Sequence, residues 1–218
     1  MDFPSYFPIF DKLEKSEQDQ LLQSVSKRKI SKGSVIYRGD ESCLGLIIVT
    51  SGQLRAYITS DEGREITLYR LLEHDVCLFS ASCMMQNIQF EIMLLAERDT
   101  EFWLIPTEVY GKLSRTSINI SNYTNELMSS KMTDVMWLME QIMWKSMDKR
   151  LAAFLLEEAA LEETNCLSVT HEKIASHLGT AREVVTRMLK YLQSENMVHL
   201  SRGTVELIDE ERLQQLGL

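Results

Sequence analysis

The period of the apolar positions changes along the chain, and each period predicts a different element. Short alternating or wholly apolar runs occur at Ser34 to Tyr37, Leu44 to Thr50, Gln53 to Ser60, Glu65 to Leu71, Glu91 to Ala96 and Glu101 to Ile105. Turn-forming residues separate them at Gly33, Gly39-Asp40, Ser51-Gly52, Asp61-Glu62-Gly63 and Arg98-Asp99. Short runs of period two with such punctuation predict β-strands, and their regular spacing predicts an all-β roll or barrel. A short helix, Glu17 to Val25, precedes them. From Ser117 to Trp144 the period becomes helical. Ile118, Asn125, Met132 and Met139 recur every seven residues, with Ser121, Met128, Val135 and Ile142 interleaved three residues later. This is the a/d seam of two helices packed side by side, so a homodimer is expected. Asn125 at an a position favours a parallel, in-register pair, and the methionines make the seam deformable. Leu127, Trp137 and Leu138 offer a second apolar face for packing inside one subunit.

The last third of the chain predicts two short helices and a hairpin. Thr170 is a hydroxyl N-cap, and Ile174 and Leu178 turn inward at i, i+4 spacing. Gly179 ends that helix by tolerating positive φ, and Thr180-Ala181-Arg182-Glu183 has the form of a capping box opening the next. Ala175 lies where the two helices approach closely, and Val185 fills the angle between them. The second helix points Val184, Val185, Met188, Leu189 and Leu192 inward, leaving Arg182, Glu183, Thr186, Arg187 and Lys190 outside. Five polar residues alone would be a solvated face; the alanine-glycine-valine frame makes them a DNA reader. Arginine can bond guanine O6 and N7 bidentately, glutamate can accept from cytosine N4, and lysine suits phosphate. Val198, Leu200, Val205 and Leu207 then flank a Ser201-Arg202-Gly203-Thr204 turn, a hairpin with Arg202 at its tip within reach of a phosphate.

The run G-T-A-R-E-V-V-T-R-M-L-K-Y-L over residues 179 to 192 is similar to the recognition-helix pattern G-x-S-R-E-x-V-x-R-x-L-x-x-L of the Crp/Fnr family of bacterial transcription regulators. Residues Lys32 to Asp40 and Ser51 to Leu54 resemble the K-G-x-x-[IL]-[FY]-x-x-G-[DE] and S-G-x-[LV] turns of that family's cyclic-nucleotide-binding β-roll. The resemblance covers nearly the whole chain and implies an α+β fold. A jelly-roll-like β-roll sensor would occupy residues 1–112, a long dimerisation helix and hinge 113–145, and a winged helix-turn-helix 146–218, with the hinge near Met143 to Asp148. Its dimer seam would be Ile118, Asn125, Met128, Met132, Val135, Met139 and Ile142. By the same resemblance Arg182, Glu183 and Arg187 read bases in a palindromic TGTGA-like site, with Thr180, Thr186, Lys190 and Arg202 completing the contacts to double-stranded DNA. Ala181 stands where the pattern has serine, which removes one hydroxyl from the phosphate contacts.

Composition agrees with this picture. The chain has 218 residues, enough for two cores, with 44% hydrophobic and 25% charged residues. Its net charge of −9 does not oppose DNA binding, because affinity follows the local field at the contact face. Lys173, Arg182, Arg187, Lys190 and Arg202 are opposed in that stretch only by Glu183 and Glu195. No apolar run approaches the length of about 18 residues that spans a bilayer, and MDFPSYFPIF lacks a cationic leader, so a cytoplasmic chain without a membrane partner is expected.

The family's cyclic AMP binders hold the phosphate with a Gly-Glu pair and an Arg-Ser pair. Here Phe90-Glu91 falls in the Arg-Ser place, where a carboxylate repels phosphate, and the stretch Cys77 to Cys83 replaces the Gly-Glu region. Cyclic AMP is therefore not the expected effector. A small, partly apolar metabolite near Phe79, Cys77, Cys83, Phe90 and Glu91 is expected instead, with Glu91 orienting a polar or cationic group. Iron-sulfur members cluster cysteines near the N-terminus, whereas the first here is Cys43, so no such cluster is expected. Haem is not expected either, because Phe79-Ser80 stands where an imidazole ligand should be and His74 lies in another register. The cysteines read as small buried residues, with a Cys77/Cys83 thiol switch as the alternative. A cupin-type enzyme would need several imidazoles on facing strands, but only His74 falls in the β-region, and no G-x-S-x-G, P-loop or H-E-x-x-H occurs. The expected function is thus regulation of transcription rather than catalysis. RNA polymerase stays open as a partner, as do the effector and the direction of regulation.

Overall fold

The computed structural model describes residues 2–37, 44–78 and 92–217. Phe79, Cys83, Phe90, Glu91 and the Gly39-Asp40 turn signal lie outside the described residues. The chain divides into two compact units, one of Met1–Ile58 and Leu68–Val135, the other of Thr59–Thr67 and Met136–Leu218.

The alternating runs form the strands they predict: β2 Val35–Tyr37, β3 Gly45–Ser51, β4 Leu54–Thr59, β5 Glu65–Leu71, β7 Met93–Ala96 and β8 Thr100–Pro106. Two strands had no such signal, β1 Ser26–Ile30 and β6 Val76–Cys77. The first is SKRKI with three exposed central residues, and the second is too short to have a period. The strands build two four-stranded sheets, β1-β8-β3-β6 and β2-β7-β4-β5, with antiparallel pairing between the registered partners. This is the β-roll expected from the spacing. Ile47, Val49, Leu54, Ala56, Tyr69, Leu71, Cys77, Leu94 and Phe102 form its interior. Burying polar groups there requires partners. Arg70 Nε accordingly donates to Glu97 Oε2 at 2.8 Å, and Gln53 Nε2 donates to the same oxygen at 2.8 Å.

A second cluster joins the N-terminal aromatics to the helices. Phe3 and Phe10 open two 3-10 turns, Phe3–Ser5 and Phe10–Lys12, and with Phe7 between them they pack with Leu21 of α1 (Lys15–Ser24). The helix expected at Glu17 to Val25 therefore starts two residues earlier. Tyr110 and Leu113 of α2 (Thr107–Thr116) and Ile120 and Tyr123 of α3 (Ile118–Trp144) complete the cluster.

The third helix is continuous over 27 residues, as its heptads predict. Ile120, Tyr123 and Leu127 form its inward stripe. Continued at helical spacing, that stripe passes through Lys131, Asp134 and Leu138. Lys131 lies over the Tyr69 ring, 4.4 Å from its centroid, and pairs with Asp134 at 2.9 Å. Trp137 is off the stripe and 60% exposed, so the expectation that it helps form an inner face is corrected. On the heptad seam Ile118 is 71% exposed, Met132 61%, Met139 47% and Ile142 44%.

The second unit is built on α4 (Met147–Glu162), α5 (His171–Leu178) and α6 (Arg182–Ser194). Around them lie β9 (Cys166–Leu167), β10 (Val198–Ser201), β11 (Thr204–Leu207) and α7 (Glu210–Gly217). The hairpin β10-β11 is the one expected, and β9 adds a third strand on the β11 side. Leu151, Leu155, Ile174, Val185, Leu189, Leu192, Val205 and Leu213 share one apolar core, which fixes α5, α6 and the hairpin on a common support.

Candidate nucleic-acid interface

Local chemistry sets the start and end of α5. Thr170 Oγ1 accepts from the Lys173 amide at 3.1 Å, and Gly179 closes the helix at φ 68. Thr170→Ala should cost the unit about 1 kcal/mol, to be read as a lower denaturation midpoint with unchanged slope. Ala175 and Val185 are buried at the helix-helix approach, as their spacing predicts. Two features of the turn come from residues distant in sequence. Arg150 Nη2 donates to the Leu178 carbonyl, and a Cβ added to Gly179 would come within 2.9 Å of Ile66 Cδ1 in the segment Thr59–Thr67.

The expected capping box at Thr180 does not form. The Thr180 amide donates back to the Ala175 carbonyl at 3.1 Å, so Thr180 belongs to the closure of α5. Ala181, extended at φ −82 and ψ 146, is the N-cap of α6 and supplies no side-chain bond. Glu183 consequently falls at the second helical position, one too early to pair with the actual N-cap, Ala181.

Helix α6 buries Val185, Leu189 and Leu192, leaves Val184 and Met188 half-buried, and turns the rest outward. Arg182, Glu183, Thr186, Arg187 and Lys190 line one shallow surface recess. All five side chains expected on the outer face are thus brought together, with three cations against one carboxylate. Arg202 is exposed in the β10-β11 turn, where Gly203 takes φ 80.

A second recess, where α5, α6 and the hairpin meet, is lined by Thr170, His171, Glu172, Arg182, Ser201 and Thr204, among others. His171 was not anticipated. Its Nδ1 lies 2.8 Å from Thr186 Oγ1, which itself donates to the Arg182 carbonyl at 2.9 Å. Burial, and then the neighbouring Arg182 and Lys190 charges, hold the His171 ring below the usual histidine range. Among the described residues, no three side chains are grouped to hold a metal, and no helix is long and apolar enough to cross a membrane.

Residues 27–117 match the cyclic nucleotide-binding domain family, and residues 149–216 match the Crp-like helix-turn-helix domain. A solved structure of a Crp/Fnr-family protein from Eubacterium rectale is 52% identical, with a TM-score of 0.96 over 98% of this chain and 99% of that one. The chain is also similar to the cyclic AMP receptor protein of Thermus thermophilus, 25% identical over 210 residues and 96% of each chain. The fumarate and nitrate reduction regulatory protein of Yersinia pestis is 24% identical over 213 residues, 94% of this chain and 84% of its own length. With its β-roll, long helix and helix-turn-helix, and a 52% identical Crp/Fnr-family structure covering 98% of its length, this chain belongs to the Crp/Fnr family of transcription regulators.

Proposed function

We propose that the protein is a homodimeric, sequence-specific regulator that lays α6 in the major groove of a palindromic TGTGA-like site. The observation that carries this reading is the convergence of Arg182, Glu183, Thr186, Arg187 and Lys190 on one face of α6. Arg182 and Arg187 bond guanine edges, Glu183 accepts from a cytosine amino group, and Lys190 and Arg202 hold phosphates. Thr186 lies between the readers, and Thr180 lies in the turn before them. The seam Ile118, Asn125, Met128, Met132, Val135, Met139 and Ile142 joins two copies in parallel. Such a pair presents its recognition helices to successive major grooves about 34 Å apart. The exposed seam residues support this, because apolar side chains left in water favour burial against a second copy.

Control comes from an effector or redox event in the β-roll of residues 1–112. It is passed on by the helix and hinge of 113–145 to the reading head of 146–218. Cys77, with Phe79, Cys83, Phe90 and Glu91, forms the effector region. The protein acts in the cytoplasm by binding rather than catalysis, with RNA polymerase as its further partner. Selection from random duplexes tests the DNA reading. A two-fold symmetric motif containing guanines is expected, and a selected pool without symmetry would overturn it. Calorimetric titration with cyclic AMP and cyclic GMP should give no binding at micromolar concentration, since Phe90-Glu91 cannot clamp a phosphodiester. Micromolar binding of either nucleotide would overturn that part.

A further inference from the structure

We propose that His171 is a proton-linked DNA contact: it takes up a proton when a backbone phosphate enters the recess between α5, α6 and the β10-β11 hairpin, so that DNA affinity rises as the pH falls. This rests on the assignment of α6 as the DNA-facing helix. The geometry begins with a single hydroxyl hydrogen. Thr186 Oγ1 has two polar neighbours, the Arg182 carbonyl at 2.9 Å and His171 Nδ1 at 2.8 Å. The carbonyl can only accept, and the hydroxyl donates to it, so the oxygen is left as an acceptor toward the ring. Both contacts are hydrogen bonds at once only when Nδ1 carries the hydrogen of the second, and this is the arrangement the proposal takes.

That bond fixes the neutral ring as the Nδ1–H tautomer and leaves the lone pair on Nε2. No described residue bonds Nε2. A lone pair repels a phosphate oxygen, whereas an Nε2–H attracts it with the added strength of a charge-assisted bond. The ring therefore contacts phosphate well only after it gains a proton at Nε2, and the Nδ1–H bond to Thr186 survives that gain. The proton comes from the buffer, and no covalent bond other than N–H is made.

The surrounding charges set the direction. Arg182 and Lys190 of α6 face the ring, Glu172 neighbours it on α5, and the hairpin contributes Ser201, Gly203 and Thr204, none of which titrates. In the free protein, burial and the two cations hold the ring neutral at neutral pH. A phosphate reverses both charge effects, since it offsets the cations and adds an anion beside Nε2. The pKa is below the usual histidine range in the free protein and raised in the complex. Protons are thus bound on association, and affinity climbs as pH falls through the interval between the two values. His171 also acts as a positioning residue, because its bond holds the hydroxyl of Thr186 on the reading face.

The test measures binding of wild type, His171→Asn and His171→Arg to the duplex recovered by selection, from about pH 8 to pH 6. One linked proton can change affinity by up to about tenfold per pH unit per half-site. Wild type should tighten at least several-fold over this range. The asparagine amide keeps a donor toward Thr186 but cannot be protonated, so His171→Asn should bind as wild type does at high pH and stay there. The arginine variant should bind tightly with a flat profile. Histidine NMR should place the hydrogen of free His171 on Nδ1 and show its pKa rising when DNA is added. His177 and His199 remain in every variant, so any slope they cause persists in His171→Asn. A wild-type slope retained in that variant, or wild-type binding independent of pH, overturns the proton linkage while leaving the DNA face intact. Failure of wild type to bind any duplex overturns the DNA face and the linkage together.

Discussion

Replacing Met132 by aspartate should turn the dimer into monomers at micromolar concentration. Met132 occupies an a position and is 61% exposed in the single chain, so the substitution removes little from the subunit's own core. In a parallel, in-register pair it meets its own copy, and the variant places two carboxylates together in an apolar seam. Burying an unpaired carboxylate costs several kcal/mol, and the two repel each other as well. A loss of about 4 kcal/mol corresponds to a dimer dissociation constant about a thousandfold higher. Sedimentation velocity reads this directly, and thermal unfolding of the variant verifies that the subunit still folds. DNA affinity should fall with it, because two unlinked reading heads lose their effective concentration. A wild type that sediments as a monomer at micromolar concentration would remove the seam from any interface, and so would an aspartate variant that remains dimeric.

Arg187→Ala should weaken binding by about 1–3 kcal/mol per half-site and relax preference at one base pair of each. The reason is geometric. A guanidinium forks onto two acceptors of one guanine, and alanine leaves both unpaired in a desolvated groove. Lys190→Ala should instead weaken every duplex alike and reduce the slope of log affinity against log salt by about one, as loss of a phosphate contact does. Competition binding against single-base variants of the selected site separates the two. If Arg187→Ala weakens all sequences equally, Arg187 is a phosphate contact and a different residue reads that base pair.

Much of this molecule is local, and local chemistry can be read along the chain. Strands β2 to β5, β7 and β8 were legible because alternation and turn glycines operate over a few residues. The 27-residue helix was legible because its heptads repeat, and α5 because Thr170 and Gly179 act on their own neighbours. The outward face of α6 followed from its inward side, since fixing Val185, Leu189 and Leu192 in the core leaves only one direction for Arg182, Arg187 and Lys190.

Other features depend on what lies across space. Strand β1 carries three cations at its centre and exists as the edge partner of β8, with Lys27 and Lys29 paired to Glu101 more than seventy residues away. The Thr180 to Glu183 pattern satisfies the sequence rule for a capping box, but the amide of Thr180 is committed to closing the previous helix, so the rule is overridden by the turn. Trp137 shows the limit of face assignment. Its hydrophobicity predicts burial, yet its angular position places it away from the stripe through Ile120, Tyr123 and Leu127. His171 and Thr186 are fifteen residues apart, and nothing in either residue's neighbourhood predicts their bond. It exists because the shared core sets the crossing of α5 and α6, and a crossing angle is a property of the packed side chains of both helices. The chain by itself thus determined the period of the long elements and the apolar side of α6; packing decided that Trp137 points out and which of the outward side chains meet.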